Sequence, residues 1–332
     1  MSFQTRKVQR TGGSSYTISL PKAWIEKHRV EKNDTLGILS QPDGNLLITP
    51  QLETEKIQKI KDIMVDDFPD DNFLFRVLIG AYIMGYSIIT IKSSKKFELN
   101  IKDCIRRFTQ IAIGPEIEEE SDNFIKIRDL VNPREMAFEK TIRRMYILAG
   151  GMFDDSINAF KTGNVNFAKE IIKNDNEVDR LHYLIMRQVN IALSDIISCQ
   201  KMGVTLEGAV SFQQISRFLE RIADHAVKIS KNVIKLVNYK IDERLREEIE
   251  IASNLSLELL NRSLDAWLQK SINLANENIE TIKELIQTTE KISFSSTDNA
   301  ETSIAIGYII ESIRRTGVYA GDISEIIINN LV

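Results

Sequence analysis

The spacing of hydrophobic residues changes character along this chain, and each change predicts a different kind of element. From Tyr16 to Leu20 apolar and polar positions alternate, with Tyr16, Ile18 and Leu20 on one face and Thr17 and Ser19 on the other, as in a strand with one packed side. Gly12-Gly13-Ser14-Ser15 forms a turn before it, and Pro21 opens a short helix over Lys22-Ala23-Trp24-Ile25-Glu26-Lys27. Asn33-Asp34 turns the chain into a strand through Leu36 and Ile38, and Pro42-Asp43-Gly44-Asn45 makes a hairpin into Leu46, Leu47 and Ile48. Residues 1–50 hold too few large apolar side chains to bury a core of their own, so this domain is expected to dimerise.

Residues 51–132 read as a small α/β domain. A helix is predicted from Asn72 to Met84, a buried strand from Ser87 to Ile91 and a second helix from Ile101 to Ile111. Two more strands are expected near Ile113 to Ile117 and Phe124 to Asp129, split by a turn at Glu118-Glu119-Glu120-Ser121-Asp122. No cofactor fingerprint is present, and the domain reads as a spacer or dimerisation module, with ligand sensing as the alternative. After Pro133 there is no further proline, and the 3.6-residue period continues to the end. Proline lacks an amide donor and clashes with the preceding turn, so its absence from 133–332 fits an all-helical region. Six helices are predicted, at 134–161, 164–200, 207–239, 241–272, 275–292 and 299–331, with Gly163 and the Gly203 to Gly208 stretch at two of the breaks.

The two halves of that region repeat. Asn174 to Leu181 aligns with Ala275 to Ile282, and Leu219 to Ala226 aligns with Ile313 to Ala320, which points to two degenerate three-helix bundles at about 134–239 and 241–331. The first repeat places Asp175 and Asp179 one turn apart on one helix, and Glu220 and Asp224 one turn apart on another. If those faces meet, four hard oxygen ligands converge, a donor set that suits iron, zinc, magnesium or manganese. Single pairs at this spacing are ordinarily solvated or matched by a cation such as Arg217, Arg221 or Lys228.

Composition and charge narrow the function. The chain is 43% apolar and 27% charged, which suits a globular protein, and no run is long and apolar enough to span a bilayer. The polar, basic start at Ser2 to Arg10 does not resemble a signal peptide, so a cytoplasmic location is expected. Cys104 and Cys199 lack any CxxC spacing and read as reduced core residues. The net charge of -4 is uneven: residues 1–32 carry seven basic and two acidic residues, or +5, which leaves -9 for the rest. An anionic partner, nucleic acid first, would meet this basic head.

Arg6-Lys7-Val8-Gln9-Arg10, Ser19-Leu20-Pro21-Lys22-Ala23-Trp24 and Val30 to Leu36 resemble the AbrB/SpoVT/MazE swapped-hairpin fold over about residues 5–50. That resemblance implies an intertwined homodimer whose basic strands and loops lie on DNA, with Arg6, Lys7 and Arg10 in the contacting arm and Lys22 as a weaker phosphate contact. Arginine reads a guanine edge bidentately, whereas lysine mainly adds backbone charge. Farther on, Glu220-Arg221-Ile222-Ala223-Asp224-His225-Ala226 and Asp175-Asn176-Glu177-Val178-Asp179 resemble the two acidic motifs of the PhoU family, over about residues 132–332. The resemblance implies tandem three-helix bundles and a metal cluster held by Asp175, Asp179, Glu220 and Asp224, with iron or zinc first and magnesium or manganese next. The matching positions of the second repeat are Asn276, Glu280, Arg314 and Val318. Three of four acids are missing there, so a cluster is expected in the first repeat only, with Arg314 as a countercharge for Glu280.

The expectation is a multidomain, non-enzymatic regulator of phosphate uptake and homeostasis, made of a swapped-hairpin β domain, a small α/β domain and an all-α PhoU-like region. It would bind promoter DNA as a homodimer and receive phosphate status through the helical body or a partner. A PhoU-type adaptor acting on a phosphate transporter or sensor kinase without DNA is the first rival. A ferritin-like di-iron oxidase is the second, because Asp179 and His182 imitate a Glu-x-x-His spacing. Against it, the chain has only three histidines, and His225, next to Asp224, should point off the acidic face.

Overall fold

The computed structural model describes residues 4–40, 44–50, 59–68, 70–293 and 300–332. The chain divides into two compact units, Met1–Ile57 and Gln58–Val332. In the first, β1 (Gln9–Thr11) and β2 (Ser15–Thr17) pair antiparallel with Arg10 opposite Tyr16. Helix α1 (Lys22–His28) follows Pro21, and β3 (Gly37–Ser40) pairs antiparallel with β4 (Leu46–Thr49). Pro42 and Asp43 of the predicted hairpin turn lie outside the described residues, as does the expected domain boundary after residue 50. No described side chain of this unit is buried, and Val8, Tyr16, Ile18, Ile38 and Leu46 are all exposed. The alternation seen in the sequence therefore marks an apolar face that one copy of the chain leaves in solvent.

The second unit begins with a four-stranded sheet in the order β5-β6-β8-β7. Strand β5 (Ile60–Met64) leads through α2 (Asp71–Ile83) to its parallel neighbour β6 (Ile88–Lys92). Helix α3 (Leu99–Ile111) then leads to β7 (Pro115–Glu120), which pairs antiparallel with β8 (Phe124–Asp129). Two expectations change here. Strand β5 was not anticipated, and Glu118, Glu119 and Glu120 extend β7 where a turn was expected. The strand holds because cross-strand cations answer the acids: Glu118 meets Arg128 at 2.6 Å and Lys126 at 2.9 Å, and Glu120 meets Lys102 of α3 at 2.9 Å.

The helical region follows as α4 (Phe138–Thr162), α5 (Val165–Ser194), the short α6 (Ile196–Lys201), α7 (Leu206–Leu236), α8 (Glu243–Gln269), α9 (Ile272–Lys291) and α10 (Ala300–Leu331). Local signals set the boundaries. Gly163 ends α4 in the left-handed region at φ 63°, and the Asn164 side chain caps α5 by accepting from Phe167 N–H. Thr205, Asp242 and Ser271 cap α7, α8 and α9 in the same way. The helix expected over 164–200 is broken at Asp195, whose carboxylate accepts from Ile197 N–H and caps α6. Helices α4, α5 and α7 form one bundle and α8, α9 and α10 the other, joined chiefly where α7 packs on α10.

The α/β layer and the bundles have separate hydrophobic cores within one compact unit, so the boundary expected at residue 132 falls inside it. Arg187 of α5 crosses between them. Its guanidinium donates to Asp129 Oδ2 at 2.7 Å and to the Tyr82 carbonyl, and lies 4.7 Å from the centre of the Tyr82 ring. Gly114, at φ 105°, leaves the space that the Asp129 carboxylate fills, since a Cβ there would overlap Asp129 Oδ1. Beside this pair, Gln188 donates to the carbonyls of Pro133 and Met136. Both charges of the Arg187–Asp129 pair are almost fully buried. Arg187→Ala should therefore remove the buried countercharge of Asp129 and cost about 3–5 kcal/mol in urea denaturation, while Arg187→Met with Asp129→Leu recovers most of that loss. A single variant as stable as the parent chain would show that the pair does not join the two layers.

Candidate functional site

Helix α5 sets Asp175, Asp179 and Tyr183 at successive intervals of four, on one stripe of its surface. Helix α7 packs along α5 and sets Glu220 and Asp224 at the same interval. Asp175, Asp179 and Glu220 are half-buried, and Asp224 stands at the solvent edge. The packing positions come from the residues between them: Val178, Leu181, Leu219, Ile222 and Ala223 are all buried in the bundle core.

None of the four carboxylates has a hydrogen bond or an ion pair among the described residues. The cations named as possible partners, Arg217, Arg221 and Lys228, form no ion pair with them among the described residues. Burial, then the charges of Asp175 and Asp224, pushes the Asp179 carboxyl up to about 7. Burial, then Asp224, Asp179 and Asp175, does the same for Glu220, again to about 7. Asp175 rises to about 6, through burial and then Asp224, with Lys231 pulling the other way. Asp224 is also raised, by burial, and Lys231 and Arg221 hold it back. The four acids thus share one electrostatic field and repel one another.

A cleft of about 440 Å³ opens beside them. Glu220, Asp224, Arg217 and Arg221 of α7 line it, with Tyr183 and His182 of α5 and Tyr319 of α10. His182 Nδ1 lies 3.0 Å from Ser216 Oγ, and burial followed by the charge of Arg217 lowers the imidazole to about 4, so the ring is neutral. His225 also lines the cleft, contrary to the expectation that it points away: the opening extends to α10, where its ring lies 5.8 Å from that of Tyr319. Burial lowers it to about 4, and its Nδ1 is buried without a partner. Tyr183 and Tyr319 went unremarked in the sequence. The signal for Tyr183 was present, since it continues the interval of Asp175 and Asp179.

Hard, unpaired oxygens under mutual repulsion are the donor type that gains most from a divalent cation. Among the described residues, however, no three histidine, cysteine, aspartate or glutamate side chains are grouped closely enough to form a ready metal site. Asp175 and Asp179 also lie outside the lining of the cleft. In the second repeat, Glu280 pairs with Lys283 at 2.6 Å and Arg314 with Glu311 at 2.7 Å. Arg314 is therefore not the countercharge of Glu280, each having found a partner one turn away on its own helix.

In the first unit, Arg6, Lys7, Arg10 and Lys22 are all exposed or at the surface. Arg6 donates to the Thr5 carbonyl and to Gln4 Oε1, both at 2.9 Å, and Arg10 donates to the Gly13 carbonyl at 2.5 Å across its own turn. Lys22 approaches Glu26 at 3.6 Å in a solvated pair of little strength.

Two family models match this chain. Residues 142–233 match the PhoU domain, and residues 9–55 match "Antidote-toxin recognition MazE, bacterial antitoxin". The chain thus carries a PhoU domain and a MazE-like N-terminal unit. The PhoU match contains Asp175, Asp179, Glu220 and Asp224, while the MazE match contains Arg10 and Lys22 and begins after Arg6 and Lys7. A phosphate-specific transport system accessory protein PhoU homolog of Clostridium acetobutylicum is 28% identical over 40% of this chain, and the match spans 60% of that relative's length. One of the same description from Zymomonas mobilis is 22% identical over 56% of the chain and 81% of the relative. Crystal structures of PhoU from Pseudomonas aeruginosa and of the phosphate transport system regulatory protein PhoU from Streptococcus pneumoniae share its fold. Their TM-scores are 0.52 and 0.50 at 18% and 19% identity, each over 57% of this PhoU-domain chain and 93% and 91% of the other.

The raised carboxyls give the cation-free protein a signed pH dependence. A folded-state value above the ordinary carboxylate range means that the native state binds protons more readily than the unfolded chain. Stability then falls as pH rises from the ordinary carboxylate range through about 7. Asp179→Asn removes one repelling charge. In chelator, its melting temperature should exceed that of the parent chain by a few degrees at about pH 8, with the gap closing toward about pH 4. A gap that does not change with pH would show that the acids do not repel one another.

Proposed function

We propose that this protein is a non-enzymatic, DNA-binding regulator of phosphate uptake, in which the MazE-like unit holds promoter DNA and the PhoU body receives the phosphate-status signal. The observation that carries this reading is the pairing of a basic MazE-like unit with a PhoU domain in one chain. The exposed apolar face of the first unit favours a homodimer, because Val8, Tyr16, Ile18, Ile38 and Leu46 have no cover within one chain. Two copies place two sets of Arg6, Lys7, Arg10 and Lys22 before a two-fold operator, where the arginines suit base edges and the lysines suit phosphates.

In the body, Asp175, Asp179, Glu220 and Asp224 are the residues that would hold a metal, with iron or zinc first and magnesium or manganese next. Bound there, the metal would cancel the repulsion across the α5–α7 face. Among the described residues no helix is long and apolar enough to cross a membrane, which accords with a cytoplasmic protein. The second reading is an adaptor that acts on a phosphate transporter or a signalling protein without touching DNA. The description of both relatives as accessory proteins of a phosphate-specific transport system favours it.

Chromatin immunoprecipitation separates the two. The tagged protein and its Arg6→Ala, Lys7→Ala, Arg10→Ala triple variant would be compared in phosphate-rich and phosphate-starved cells, with circular dichroism of both. Peaks at phosphate-transport promoters that disappear in the triple variant, at unchanged helical content, are the expected result. Peaks retained by the variant would remove the arm from the mechanism, and no peaks in the parent protein would leave the adaptor.

A further inference from the structure

Away from the α5–α7 face, another cleft, of about 320 Å³, opens in the α/β layer. It lies at the carboxyl ends of the parallel strands β5 and β6, where the chain passes into α2 and α3. Open α/β sheets bind their ligands at that end of the strands. Two ties hold the walls in place. Asp66, just beyond β5, accepts from the Ser94 N–H at 2.9 Å and from Ser94 Oγ at 2.8 Å, and the Phe97 N–H donates to the Asp122 carbonyl at 2.8 Å. The floor is apolar: Leu74 and Phe97 are buried, with Val65, Phe68 and Ile101 half-buried around them. A preformed apolar floor under a few polar groups is the usual form of a small-molecule site.

The charges on the rim divide into those that the fold uses and those that it does not. Asp66 is engaged by Ser94, Asp70 caps α2 by accepting from the Phe73 N–H at 2.7 Å, and Lys96 pairs with Asp122 at 3.1 Å. The side chains of Asp71, Glu98 and Lys95 have no ion pair or hydrogen bond among the described residues, and Glu98 precedes α3 without capping it. Two carboxylates and one ammonium are left on the rim above an apolar floor.

We propose that this cleft binds a free α-amino acid with an apolar side chain, which makes the α/β layer a ligand-binding domain. Asp71 and Glu98 take the α-ammonium, Lys95 takes the carboxylate and the floor takes the side chain. A zwitterion satisfies rim charges of both signs, whereas a simple anion would meet two carboxylates and a simple amine would meet Lys95. The size agrees: at about 30 Å³ per water the cleft has room for about ten waters, and leucine or phenylalanine has a comparable number of non-hydrogen atoms. Helix α2 links the site to the helical body, because it starts at the cleft with Asp71 and Arg187 of α5 holds its Tyr82 carbonyl.

Equilibrium dialysis of the full-length protein tests this, with radiolabelled L-leucine and L-phenylalanine as probes. At least one of the two should be retained. The same molecule without its ammonium (isocaproate or phenylpropionate) or without its carboxylate (isoamylamine or phenethylamine) should compete about tenfold less well or worse. Glycine, which bears both charges and no side chain, should also compete poorly. Lys95→Gln, and separately Asp71→Asn with Glu98→Gln, should each weaken retention by about tenfold or more, with unchanged helical content by circular dichroism. Retention of neither amino acid overturns the proposal. So does retention that both variants leave unaltered, or competition by glycine or by a singly charged analogue as strong as that of the parent amino acid.

Discussion

Helix α5 is the constraint on which the second unit depends. It runs unbroken from Val165 to Ser194, presents Asp175 and Asp179 to α7, and two turns beyond Asp179 buries Arg187 against Asp129 and Tyr82. A regular helix cannot place one group without placing the other, so the acid face and the anchor of the α/β layer are fixed in a single rigid frame. Tyr183 lies between them and serves both sides: it lines the cleft and packs against the core of the α/β layer. The break at Asp195 comes only after Gln188 has tied the helix to the Pro133 and Met136 carbonyls.

The energetics of the two charged sites on this helix run in opposite directions. Arg187 and Asp129 are buried and paired with each other, and removing either partner is what costs stability. The four acids are only half-buried or exposed, yet none forms a hydrogen bond or ion pair among the described residues; burial raises every one, and the charges of neighbouring acids add to it at Asp175, Asp179 and Glu220. A face of this kind opposes folding at neutral pH unless something binds it. In the second repeat the corresponding positions hold Asn276, Glu280, Arg314 and Val318, and the charges there close onto neighbours on their own helices. Gly317 and Gly321 instead let α10 approach α9 closely, where a Cβ would overlap Leu285 or Ile282. The same helical scaffold is thus packed tightly in one repeat and left electrostatically open in the other.

Much of this was legible in the sequence because it is written in local periodicity. The helical region follows from the missing prolines and the 3.6-residue period, and the acid pairs follow from intervals of four. Where long-range pairing decides, the sequence was silent or misleading. Glu118 to Glu120 look like a turn until Lys126, Arg128 and Lys102 are brought across the sheet. Strand β5 is short and exists through its pairing with β6. The break at Asp195 needed the capping contact to Ile197, not the hydrophobic pattern, to be seen. His225 appeared to leave the acid face, and only the packing of α10 brings it into the cleft. Arg187 looked like any other charged helix residue, since its burial depends on Asp129 and Tyr82 far away in the chain.

If the α5–α7 acid face holds a cation, as proposed, metal content measures it most directly. Protein purified natively, without chelator or added metal, would be analysed by inductively coupled plasma mass spectrometry beside its Asp175→Ala, Asp224→Ala variant. About one or more metal ions per chain in the parent protein and a clear loss in the variant are the expected result. A parent protein that carries no metal, or a variant that carries as much, would contradict it.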